Sequence, residues 1–133
     1  MASIHKEISL VASPAAVWDV VRDIGAVHTR FAPGFVVDTT MDGDDRIVTF
    51  ANGFVAREVI VDVDTERRRL AYSVRSERIS HHNASFQVVA EGKGSRLVWI
   101  ADVLPKAAAE TVGAMMEDGI QAAKRALDAL VEA

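Results

Sequence analysis

The stretch from Phe35 to Val103 constrains this chain most. It holds six runs rich in β-branched and aromatic residues: "FVVDTTM", "RIVTFA", "FVAREVIVDVD", "RRLAYSVRSE", "HHNASFQVVAE" and "SRLVWIADV". Turn formers stand between several of them, including "DGDD", Asn52-Gly53 and "EGKGS". Connections this short join neighbouring strands running in opposite directions, so the six follow one another as an antiparallel meander. Asn52-Gly53 is the residue pair of a two-residue hairpin. A further strand opens the chain: in "SIHKEISLVA", Ile4, Lys6, Ile8 and Leu10 alternate with His5, Glu7 and Ser9.

Helical patterns flank this sheet. In "SPAAVWDVVRDI", Ser13 can cap and Pro14 suits the first helical position. Val17, Trp18 and Val21 recur at helical spacing, which puts Trp18 in a core. Gly25 ends that helix, and "GAVHTRFAPG" predicts a second short one that stops before Pro33. From Pro105 to Glu132 the chain is rich in alanine and other helix formers. Val112, Met115, Met116, Gly119, Ala123, Ala126, Leu127 and Leu130 form its apolar stripe. The expected class is α+β, a seven-stranded curved antiparallel sheet wrapped around a long C-terminal helix, with two short helices after the first strand. Such a sheet must cover its apolar face, and only the long helix is large enough to do so. Between a strongly twisted sheet and one helix there is room for a pocket.

The length of 133 residues fits one domain, expected over residues 1–133. A formal net charge of −4 argues against non-specific nucleic-acid binding, which needs a basic face. The chain has no cysteine, so disulfide and thiolate chemistry are excluded. The N-terminus lacks a signal-peptide pattern, and no window approaches the roughly 20 apolar residues of a membrane span. The expectation is a soluble cytoplasmic protein without membrane insertion, monomeric or homodimeric.

"SPAAVWDVVRDIGAV" after the first strand, "NGFVAREVIVDVD", "NASFQV" followed by "GKGSRLVWIADV", and the terminal helix stand in a recognisable order. Together they resemble the helix-grip superfamily of START and birch-pollen-allergen proteins, in its bacterial polyketide cyclase/dehydrase and lipid-transport branch. The resemblance covers nearly the whole chain. It implies a pocket between sheet and long helix that takes a small hydrophobic or aromatic molecule, polyketide- or lipid-like, without a metal or organic cofactor. Members include lipid carriers, plant hormone receptors and enzymes that cyclise or dehydrate polyketide chains.

Alternation along the strands says which side chains face that pocket. Phe86 and Val88 are apolar, so the face they share with His82 and Ala84 points inward, and His81 points outward. Two histidines on opposite faces cannot share one ion, and His5 and His28 show no ligand spacing, so no metal site is expected. Leu70, Tyr72 and Val74 share a face, as do Leu97, Trp99, Ala101 and Val103. For "FVAREVIVDV" alternation leaves both faces open. The plant abscisic-acid receptors are similar here, and in them a glutamate at the position of Glu58 lines the pocket. Their ligand-clasping lysine has no counterpart, because Gly34 or Phe35 falls at its place. Their gating loop matches the "ANGF" hairpin, which also reads as a plain turn. On the long helix, Thr111, Met115 and Gly119 form a line at spacing i, i+4, i+8 toward the sheet. The candidate ligand-binding set is therefore Tyr72, Val74, Ala84, Phe86, Trp99, Thr111, Met115 and Gly119. The candidate catalytic pair is His82 with Glu58, His82 acting as general acid or base, Glu58 orienting it and Tyr72 donating a hydrogen bond. In the simpler alternative, His82 only lines the wall. Arg30 is expected beside the pocket mouth.

Overall fold

A computed structural model describes residues 2–132, so Met1 and Ala133, the ends of the expected domain, lie outside the described residues. Strand β1 (Ser3–Leu10) leads into α1 (Pro14–Val21) and a single π-helical turn (Val27–Phe31). Six strands follow: β2 (Val36–Asp42), β3 (Asp45–Phe50), β4 (Val55–Asp64), β5 (Arg69–Arg75), β6 (His81–Glu91) and β7 (Gly94–Leu104). A short 3-10 turn at Lys106–Ala108 precedes α2 (Ala109–Glu132). The strands form one seven-stranded antiparallel sheet in the order β1-β7-β6-β5-β4-β3-β2. The meander thus runs unbroken from β2 to β7, and β1 closes on β7.

The first helix begins as its sequence dictates. The Ser13 side chain accepts a hydrogen bond from the Ala16 N–H at 3.2 Å, and Pro14 occupies the first turn. Val17, Trp18, Val20 and Val21 are all buried, so Trp18 is core. The second short helix is a π-helical turn, closed by the Ala32 N–H on the Val27 carbonyl at 2.8 Å. Arg30 straps it to α1, donating to Asp23 at 2.8 Å and Asp19 at 2.9 Å. Arg30 is therefore spent on an exposed ion cluster and does not line the cavity described below.

Two expectations shift. Asn52-Gly53 does not make a two-residue hairpin. Thr49 pairs with Val55, and of the two only Gly53 has positive φ (+89°), which rules out the turn that needs positive φ at both central positions. A wider loop forms because the Phe54 N–H bonds the Asn52 side chain, the Ala51 N–H bonds the Phe35 carbonyl, and Phe54 stacks on Phe50. The long helix starts at Ala109, four residues after Pro105, since the intervening residues take the tighter turn. Its buried face is the expected one, Val112, Met116, Gly119, Ala123 and Leu127, widened on either side by Ile120 and Ala122, while Leu130 near the helix end is exposed. No helix among the described residues is long and apolar enough to cross a membrane.

Candidate functional site

Between the inner sheet face and α2 lies a cavity of about 410 Å³, within the usual range for small-molecule sites. Its apolar wall is built where three strands meet in register. Phe86 on β6 stands directly opposite Trp99 on β7, and their rings stack at 4.6 Å. Tyr72 from β5 lies roughly parallel to Phe86 at 6.0 Å, and Phe31 from the π-turn meets it edge-on at 5.0 Å. The Trp99 Nε1–H donates to the Tyr72 hydroxyl at 3.0 Å. Burial pushes the Tyr72 phenol far up from its usual value, and the Glu58 charge adds to this. The hydroxyl therefore keeps its proton and can donate it to a neighbour. Toward the mouth, Phe35 and Phe50 meet edge-on at 5.2 Å. Asn52 and Phe54, from the hairpin loop, line the entrance.

The polar part of the wall comes from β3 and β4. Glu58 lies on the inner face and is 8% exposed; facing it in register is Arg46, 4% exposed. The Arg46 Nε–H donates to the Glu58 carboxylate at 2.6 Å, and the guanidinium carbon sits 5.3 Å from the centre of the Tyr72 ring. Both residues line the cavity. A buried ion pair is worth having only when its remaining donors and acceptors are satisfied; here they face the cavity.

Of the sequence-derived candidates, His82, Glu58, Tyr72, Val74, Phe86, Trp99, Thr111, Met115 and Gly119 all line this one cavity. Thr111 does so from its exposed rim. Ala84 does not: its methyl group is buried in the inner face between Tyr72 and Ala101, too short to reach the space. Arg46 was not among the candidates. It shares a strand face with Val48 and Phe50, so the alternation that placed Tyr72 also points Arg46 inward.

Glu58 and His82 do not meet. Glu58 pairs with Val74 across β4–β5, and Ser73 pairs with Asn83 across β5–β6, so the Val74 strand stands between the two groups. Two strand spacings amount to about 10 Å. No hydrogen bond or ion pair joins them among the described residues, because the Glu58 carboxylate is held by Arg46. His82 is half-buried, and its Nδ1 finds no partner among the described residues. His81 is exposed on the outer face. Burial lowers the His82 pKa, and the neighbouring His81 adds to the shift. The folded protein then binds fewer protons at this site than the unfolded chain, so stability falls as pH drops through and below about 6.5. The loss is complete once the depressed folded-state value is passed. A His82→Gln variant should lose less stability than the wild type over that window, as read from urea midpoints at successive pH values.

Gly119 explains how the helix approaches the sheet. A side-chain carbon there would lie 2.9 Å from a Phe35 ring carbon and 3.1 Å from the Trp99 ring. The glycine costs helix stability, about 1 kcal/mol relative to alanine, and leaves the space into which both rings lean.

A seven-stranded antiparallel sheet closed over one long helix, with the cavity between them, is the helix-grip architecture, and solved structures of that class match closely. An uncharacterised protein of Bacillus thuringiensis superposes with a TM-score of 0.83 at 16% identity, covering 95% of this chain and 98% of its own. A START superfamily protein of Mycobacterium smegmatis gives 0.77 at 14% identity, with 98% and 99% covered. Norcoclaurine synthase from Thalictrum flavum, solved in complex with dopamine and hydroxybenzaldehyde, gives 0.72 at 22% identity, with 97% and 85% covered. No curated protein matches the chain in sequence. The profile of the family described as polyketide cyclase / dehydrase and lipid transport matches residues 1–132, and the chain belongs to that family.

Proposed function

We propose that the protein binds a small hydrophobic or aromatic molecule in the cavity between the sheet and α2. The observation that carries this reading is the cavity itself, about 410 Å³ with an aromatic wall and one buried polar pair. A packed interior leaves few voids larger than a water molecule, so a space of this size is a feature of the fold's use. Placement of norcoclaurine synthase among the structural neighbours supports it at the level of the fold.

The test uses N-phenyl-1-naphthylamine, a neutral aromatic probe. Saturable binding with one site per chain and quenching of Trp99 emission is expected. Met115→Trp, which fills the cavity from α2, should weaken binding at least tenfold while leaving the circular dichroism spectrum intact. Binding that does not saturate, or that ignores the filled cavity, would remove the reading.

A second reading is favoured by one observation: the His82 imidazole lines the cavity, its Nδ1 is covered, and no side-chain hydrogen bond engages its Nε2 among the described residues. A histidine kept neutral by burial can accept a proton from a bound substrate. In this reading the protein is a polyketide cyclase or dehydratase, with His82 as base and the Tyr72 hydroxyl as donor. Glu58 then serves to hold Arg46 and does not orient His82. Unchanged turnover of a hydroxylated aromatic or polyketide substrate in His82→Ala would remove His82 from such a mechanism.

A further inference from the structure

We propose that the Arg46–Glu58 pair makes the cavity selective for uncharged, oxygen-bearing ligands, with Glu58 the residue that turns carboxylates away. The inference rests on the proposed binding function and assigns its ligand class. A lone arginine in an apolar cavity reads as a carboxylate clamp, since its planar fork matches two carboxylate oxygens. Here the clamp is already engaged. Glu58 holds the Nε edge at 2.6 Å, and both groups are almost wholly buried.

The charges on this part of the wall therefore cancel. A ligand carbonyl or hydroxyl oxygen can accept from the guanidinium N–H groups that Glu58 leaves unused. A ligand hydroxyl can in turn donate to the second Glu58 oxygen. Tyr72 lies under the guanidinium and supplies a further donor. A carboxylate would find the same donors but would bring a second negative charge beside Glu58, where little solvent screens the repulsion. No second buried cation offsets it among the described residues. The other formally charged side chain at the cavity, Arg78, is exposed at the rim and screened by solvent.

Calorimetric titration with two matched probes tests this. At pH 7, 2-naphthol is uncharged and 2-naphthoate is an anion of nearly the same shape. The wild type should bind 2-naphthol at least tenfold more tightly. Desolvation alone disfavours any anion in an apolar cavity, so charge variants must move the preference. Glu58→Gln leaves Arg46 uncompensated and should shift the ratio toward 2-naphthoate at least tenfold. Arg46→Gln leaves Glu58 uncompensated and should raise the affinity for the cation of 2-naphthylmethylamine at least tenfold over wild type. The second variant decides the matter if the first does not fold. Equal binding of naphthol and naphthoate by the wild type, or ratios that ignore both substitutions, would overturn the assignment while leaving cavity binding intact. Failure of every probe to bind any form would overturn the binding function, and this assignment with it.

Discussion

Removing the Glu58 carboxylate lowers the stability of the folded protein by about 3–5 kcal/mol, with glutamine at the lower end and alanine at the upper. The cause is Arg46, which is left as an uncompensated cation at 4% exposure. For a chain of this length each kcal/mol moves the melting midpoint by roughly 3–5 °C, so a fall on the order of 10–20 °C is expected in a thermal melt. The double change Arg46→Met with Glu58→Met should recover most of that loss, because an apolar pair of similar volume avoids the cost of desolvating two ions. A single-variant cost below about 1 kcal/mol, the range of solvated ion pairs, would mean that water reaches the pair freely in the folded state.

Phe86→Ala has a comparable effect on stability, about 3–5 kcal/mol, by a different route. The ring is 4% exposed and contacts Trp99, Tyr72 and Phe31, so its removal takes away the centre of the aromatic wall. Because Phe86 also lines the cavity, the vacated volume joins existing space. Binding of a bulkier aromatic probe should therefore improve even as the protein weakens. Leu127→Ala is the control: it is fully buried but not among the cavity-lining residues, and should cost about 2–5 kcal/mol without changing which probe binds. Denaturation midpoints and probe affinities measured on both variants separate packing from pocket shape. An affinity pattern identical in the two would argue that Phe86 is core alone.

Much of this architecture was legible because strand direction is binary. Once Phe86 and Val88 are taken as inward, His82 and His81 have no freedom left, and the structure separates them in that way. Glu58 was harder. Its strand has apolar residues on both faces, and only the family resemblance pointed it inward. Arg46 is hard to read because an arginine after "DGDD" looks like the charged end of a turn. Its burial depends on a glutamate twelve positions along the chain that becomes its cross-strand neighbour only when β3 and β4 pair. The width of the buried face of α2 was legible only coarsely. An alanine-rich helix has a shallow difference between its faces, and the sheet decides whether Ile120 or Leu130 is buried. The separation of His82 from Glu58 is implied by the meander order, which sets the Tyr72 strand between theirs, but is invisible to alternation along any one strand.

The buried pair sits on a single hairpin, β3 and β4, whereas the aromatic wall sits on β5 to β7 and the π-turn. The buried charges and the inner aromatic wall are thus carried by different segments, while Phe50 and Phe54 on the hairpin add aromatic rings to the cavity. Exchanging only the inward pair at positions 46 and 58 would rewrite what the cavity accepts while leaving the Phe31, Tyr72, Phe86 and Trp99 wall in place. Descendants of one gene could in this way diverge in ligand by small, local replacements, and a designer could graft a new preference through the same short span.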